Sequence, residues 1–213
     1  MTSEMNEIAA HLALMHGGPV LRVAIDGVGK TTFADNLARL LRELGRQVIR
    51  ASADGFLNPR AVRRRLGRGS PEGFYRNSYD YDALCVNLLE PLSPGGTRRY
   101  RTAIFDHFAD AAAPCAWAEA DTDSILVFDG LFLHRPELSG YWDFSIFLEA
   151  PFEVTLPRGA ARGKGFDRSS GVMNQRYVEG EKLYFKEAEP QRRATVLLDY
   201  TDFSHPSVLR WDR

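Results

Sequence analysis

The stretch "VAIDGVGKTTFADNLARLL", Val23 to Leu41, constrains the fold more than any other part of the chain. An apolar run stops at a glycine and Gly-Lys-Thr-Thr follows. From there the apolar residues Phe33, Leu37, Leu40, Leu41 and Leu44 recur at helical spacing. In such a strand–turn–helix junction the helix-terminal N–H groups and Lys30 can hold phosphate oxygens, and the Thr31 hydroxyl can ligate magnesium. A capped helix behind a glycine turn would give the same spacing without a ligand. The loop is also short. Four residues normally separate its first glycine from the Gly-Lys pair, whereas Val28 alone separates Gly27 from Gly29. Two peptide steps span at most about 7 Å, too little to curl successive N–H groups around a phosphate.

Four further strands follow from short apolar runs: "QVIRAS" (Gln47 to Ser52), "SILVFDG" (Ser124 to Gly130), "FSIFLEA" (Phe144 to Ala150) and "ATVLLDY" (Ala194 to Tyr200). With "PVLRVAID" (Pro19 to Asp26) they make five, alternating with helical patterns, which indicates parallel β/α units with helices on both faces. Met5, Ile8, Ala9, Leu12 and Met15 recur at helical spacing within a leading segment, residues 1–18. Asp82 to Leu92 is helical and is stopped by Pro91 and Pro94, while Arg98 to Phe108 is partly extended and turns at Asp106. Residues 58–81, rich in Arg, Gly, Ser and aromatics, read as a functional surface insertion. No linker divides the 213 residues, so residues 1–213 form a single domain.

Composition bounds the partners. A net charge of −1 gives no general reason to expect nucleic acid or an anionic membrane. No apolar run reaches membrane-spanning length, and residues 1–16 lack the cationic start and apolar core of a secretory signal. Two cysteines, Cys85 and Cys115, without metal-ligand spacing suit a reducing cytoplasm. Arg63-Arg64-Arg65 is either a local anion site or a solvated helix face. The oligomeric state stays open, a homodimer included.

In sheets of this kind ligands sit beyond the carboxyl ends of the strands, which selects Gly27, Val28, Gly29, Lys30, Thr31, Thr32, Asp54 and Asp129-Gly130. Asp54 can accept the proton of an attacking hydroxyl, or serve only as a turn residue in Asp-Gly. Asp129 can hold magnesium through water or cap a helix, and His107 beside Asp106 can contact substrate or be structural. In "LPRGAARGKGF", Arg158 and Arg162 lie four apart, and with Lys164 they suit a mobile lid over about 157–175 that neutralises a transferring phosphate. A solvated basic helix end would look the same.

Together "VAIDG…GKTTFADNLA", "SADGFLNPR", "GSPEGFYRNSYDYDAL", "EPLSPGG", "VFDGLFLHRPEL", "YWDFSIFLE" and "RYVEGEKLY" resemble, in order from about Val20 onward, the uridine kinase-like family of P-loop nucleoside kinases, in particular its bacterial relatives. The resemblance implies a three-layer P-loop NTPase fold with a mostly parallel five-stranded sheet and a small lid. It implies ATP, Mg²⁺ and a nucleoside-like hydroxyl acceptor, with Asp54 as base, Lys30 and Arg162 at the transferring phosphate, and Arg158 beside them. It places Phe56, Tyr75, Tyr79, Asp80, Asp106 and His107 around the acceptor. Two departures stand out: Leu57 where uridine kinases usually carry tyrosine, and Arg162-Gly163 where the family often has Arg-Asp. Against the family's loop, three residues are missing between Val28 and Gly29. The molecule has residues that this sequence lacks, or it is truly shortened and binds nucleotide weakly or not at all, or Ala24 stands at the first-glycine position. The retained Lys30, Thr31, Asp54 and Arg162 favour the first account. A sugar or pantothenate-like alcohol is the other acceptor, and a non-catalytic binding protein the other function.

Overall fold

In a computed structural model that describes residues 2–155 and 171–212, strand β1 (Val20–Gly27) runs through the middle of the molecule. Its residues Val20 to Asp26 are all buried, which explains why the run carries so few polar side chains. Strands β2 (Val48–Ser52), β3 (Ser124–Asp129), β4 (Phe144–Glu149), β5 (Val196–Asp199) and β6 (Ser207–Trp211) complete one sheet in the order β6-β5-β4-β1-β3-β2. The five strands expected from sequence are present and parallel. The sixth, β6, pairs antiparallel with β5 and carries a register shift between Val208 and Arg210.

Pleating sends alternate β1 residues to opposite faces. Leu21, Val23 and Ile25 meet helix α1 (Ser3–Leu14) and helix α2 (Lys30–Glu43), which bury Met5, Ile8, Leu12, Phe33, Leu37 and Leu41. Val20 and Ala24 face the other layer, built from helix α3 (Pro71–Asn77), the turns around Leu84 to Leu89 and helix α4 (Gly171–Ala188). Sheet and two helical layers make the three-layer architecture. Arg22 is buried on the second face because Asp143 meets it twice, at 2.9 Å from Nε and 2.8 Å from Nη2.

Local signals set the boundaries. Helix α2 ends where Gly45, at φ +84°, allows Gly45 N–H to reach Arg42 O and Arg46 N–H to reach Leu41 O. Helix α3 starts at Ser70, whose Oγ accepts from Gly73 N–H at 3.0 Å, with proline in the first turn. Helix α1 stops at Leu14, so Met15 leaves the expected stripe in an extended conformation. Ala24 pairs with Phe128 and Ser145 in mid-sheet. It therefore cannot open a phosphate loop, and that account of the short loop is corrected.

Candidate active site

The register brings the strand ends together: Ile25 and Ser52 both pair with Asp129, and Gly27 pairs with Leu148. A cleft of about 520 Å³ opens there, walled by the Gly27–Lys30 turn, Phe132, Phe152, Tyr177, Glu181 and Phe203. The turn takes its shape because two glycines occupy it. Gly27 has φ +96°, and a Cβ there would stand 2.1 Å from Leu148 O. Gly29 caps helix α2 at φ +68°, with a Cβ position 2.8 Å from the Tyr200 ring.

Shortness decides what this turn can bind. Gly27 N–H donates to Asp26 Oδ1 at 2.7 Å and Val28 N–H to Leu148 O at 3.0 Å. Both are spent inside the protein, so Gly27 and Val28 do not offer the N–H groups expected of them from sequence. The first turn of α2 has no side-chain cap and no acid, which leaves the N–H groups of Lys30, Thr31 and Thr32 at its positive end. A phosphate would be held by that helix end and Lys30.

Beside it, Thr31 Oγ1 donates to Asp129 Oδ2 at 2.7 Å, joining the first turn of α2 to the end of β3. Asp129 is buried, and Arg50 Nη2 stands 2.7 Å from its other oxygen in an ion pair. Arg50 also reaches Asp35 at 2.9 Å. The Thr31–Asp129 pair is a hard oxygen donor set of the size magnesium asks of a protein when phosphates and water supply the rest. Among the described residues no cluster of three His, Cys, Asp or Glu side chains could hold a metal unaided.

Asp54 lies one strand over, exposed in a 3₁₀ turn (Ala53–Phe56) that extends β2, with its N–H on Ser52 Oγ at 3.4 Å. Burial, then the charges of Asp54, Tyr81, Asp26 and Asp129, hold the Tyr79 phenol well above its ordinary range. Burial is the main cause, and the acids from three strand ends add to it. Other expected acceptor residues turn out to be framework. Phe56 and Tyr75 are fully buried, so they back the site without touching its contents. The Asp80 carboxylate accepts from Ala83 N–H at 2.9 Å as a helix cap. Asp106 accepts from Phe108 and Ala109 N–H, and the His107 ring lies tilted against Phe108 at 4.0 Å. Arg158, Arg162 and Lys164 lie outside the described residues.

Three groups in the site escaped the sequence reading. Glu181 projects from α4 into the cleft, where burial pushes its carboxyl up to about 7; the Lys30 charge works against the rise and the Asp26 charge adds to it. Asp26, fully buried behind the turn, accepts from Tyr184 Oη at 2.5 Å and from Leu133 N–H at 2.8 Å. The spacing Tyr177, Glu181, Tyr184 is one helical face, and that periodicity was the available signal. Arg50, in mid-strand, offered none.

Fold and site define a P-loop-type α/β protein with the uncapped N-terminus of α2 at the carboxyl ends of the strands. Residues 23–194 match the Phosphoribulokinase / Uridine kinase family, and the chain belongs to that family. A pantothenate kinase from Rhodopseudomonas palustris (strain HaA2) is 32% identical over 136 residues, 58% of this chain and 42% of the relative. The chain thus spans less than half the length of that curated relative. Among solved structures, a possible uridine kinase from Bacillus stearothermophilus matches with TM-score 0.71 at 24% identity, over 91% of this chain and 96% of that one. A D-glycerate 3-kinase from Cryptococcus neoformans var. grubii serotype A matches with TM-score 0.65 at 10% identity, over 98% and 100%. At these identities the structural likenesses speak for the fold.

Proposed function

We propose that the protein transfers the γ-phosphoryl group of ATP to a hydroxyl of a small molecule. The observation that carries the reading is the Thr31–Asp129 contact beside Lys30, with Asp54 exposed at the neighbouring strand end. Lys30 and the N–H groups of Thr31 and Thr32 hold donor phosphates. Thr31 and Asp129 would hold Mg²⁺, which when bound neutralises charge on the β- and γ-phosphates. Asp54 takes the acceptor's proton as its oxygen bonds to phosphorus; the bond from phosphorus to the β-bridging oxygen breaks, and ADP leaves with those electrons. Arg158 and Arg162 are proposed to face the transferring group, and the reaction is placed in the cytoplasm with its ATP. Of the acceptors open from sequence, the pantothenate kinase relative favours a pantothenate-like alcohol over a nucleoside.

The test is turnover of an acceptor panel by wild type and Asp54→Asn, with ATP affinity measured alongside. Lost turnover with retained ATP binding is expected; unchanged turnover removes Asp54 from the role of base.

The commitment of the Gly27 and Val28 N–H groups favours a second reading, a relative that binds nucleotide poorly or not at all. It predicts no Mg-ATP heat in calorimetry at millimolar ligand. An intact mass near 23.9 kDa would establish the short turn, and about three small residues more would restore the longer loop.

A further inference from the structure

The arginines left over from the phosphate-donor site gather on the acceptor side. Arg63 is half-buried in the segment after Asp54: its Nε donates to Asn58 O at 2.7 Å, and its Nη2 lies 3.7 Å from Asp110. Arg176, half-buried on α4, lies over the Phe74 ring at 5.1 Å and the Tyr177 ring at 5.6 Å. Its Nε donates to Ser70 O at 3.4 Å, which ties α4 to the end of the arginine-rich segment. Among the described residues its four terminal N–H donors have no acceptor, and Arg64, Arg65, Arg68 and Arg176 have no ion pair. Burial and the positive charges of Arg63, Arg64 and Arg68 together depress the Arg176 guanidinium.

Converging cations with partly desolvated heads are unfavourable unless an anion joins them. Among the described residues an acid, Asp110, meets only Arg63 in this group. Arg63 Nε holds Asn58 O just past the turn that carries Asp54, and Arg176 lies over the ring of Tyr177, which lines the cleft. The cluster therefore connects the Asp54 turn to the Tyr177 wall of the cleft, without lining the cleft itself.

We infer that Arg176 and Arg63 form an anion subsite for the acceptor, so that the acceptor is a hydroxyl compound bearing a carboxylate or phosphate monoester rather than a neutral nucleoside. The planar donor fork of arginine suits both groups. Aromatic faces hold Arg176 in place, which lowers the entropy lost on capturing the anion. The inference rests on the phosphoryl-transfer reading for its hydroxyl, but the anion subsite itself can be tested without turnover.

The experiment compares uridine (neutral), pantothenate and D-glycerate (carboxylates), and ribulose 5-phosphate (phosphate monoester) as acceptors for wild type, Arg176→Gln, Arg176→Lys and Arg63→Gln. Anionic acceptors are expected to be preferred. Arg176→Gln should raise their KM by about tenfold or more, leaving the KM for ATP and the melting temperature nearly unchanged, and Arg176→Lys should recover part of the loss. A carboxylate or phosphate preference identifies which group the subsite takes. Preference for uridine, or an equal loss on all acceptors, overturns the inference. If no acceptor turns over, the kinase reading fails separately, and inorganic phosphate binding by calorimetry decides the subsite. In a Lys30→Ala background, which removes the donor-site lysine, phosphate should still bind and Arg176→Gln should abolish it; no phosphate heat at millimolar concentration, or heat indifferent to Arg176, overturns it.

Discussion

The two faces of the sheet are built from different chemistry. Beneath α1 and α2, β1 contributes Leu21, Val23 and Ile25 to a layer of Ile, Leu, Val, Ala and Phe with Met5 and Tyr200, and packing accounts for most of it. The opposite face buries Asp26, Arg22, His134 and Arg135 among Phe74, Tyr75, Tyr79, Phe132 and Tyr184. Buried polar groups cost free energy unless each finds a partner. Here Tyr184 and Leu133 N–H serve Asp26, and Asp143 serves Arg22. One face therefore carries stability, while the other spends part of its packing on holding the site in place.

Substitutions can break that contrast. The largest effect is expected from Asp54→Asn on the second side: activity should fall by about 10²–10⁴-fold, seen in steady-state turnover, with the melting curve unchanged. Leu37→Ala on the aliphatic face should do the reverse. It should cost about 2–5 kcal/mol in urea unfolding and leave activity per folded molecule intact. Tyr184→Phe removes the hydroxyl that meets Asp26 at 2.5 Å. A buried acceptor losing its donor costs about 1–3 kcal/mol, and ATP affinity should drop with stability because Asp26 Oδ1 also fixes the Gly27 N–H. Equal activity in that variant would separate the network from the phosphate turn.

The smallest effect concerns pH. Glu181 is pushed up to about 7 in the folded protein from an ordinary 4.5. Between these values the folded state binds more protons than the unfolded one, so stability is greatest below about 4.5 and falls as pH rises through about 7. Glu181→Gln should flatten that slope, by on the order of 1 kcal/mol once the open cleft is allowed for, in unfolding curves taken from pH 4.5 to 8.

Much of this could be read from the chain. The five parallel strands stand out: β1, β3 and β4 are buried on both faces and read as near-continuous apolar runs, while β2 and β5 alternate buried with half-buried residues. Strand β6 does not: it is an edge, Val208 and Leu209 are exposed, and the register shift interrupts its alternation. In the site, Lys30, Thr31, Asp54 and Asp129 were legible because each follows or ends a strand. Asp26 read as the polar end of an apolar run, and its partner Tyr184 lies 158 residues away. Local pattern carries no information about such a pairing. The capping roles of Asp80 and Asp106 were hidden for the opposite reason, since a cap and a ligand use the same carboxylate.

The position of β1 bears on biosynthesis. It precedes both of its sheet neighbours in the chain and lies in the sheet interior, yet they begin only at Ser124 and Phe144. A growing chain therefore carries Val20 to Gly27 for a hundred residues with both hydrogen-bonding edges unpaired. The same apolar run that stabilises the finished protein is, on the ribosome, an exposed invitation to aggregate, and a nascent-chain chaperone would be expected to cover it until its two neighbouring strands have been made.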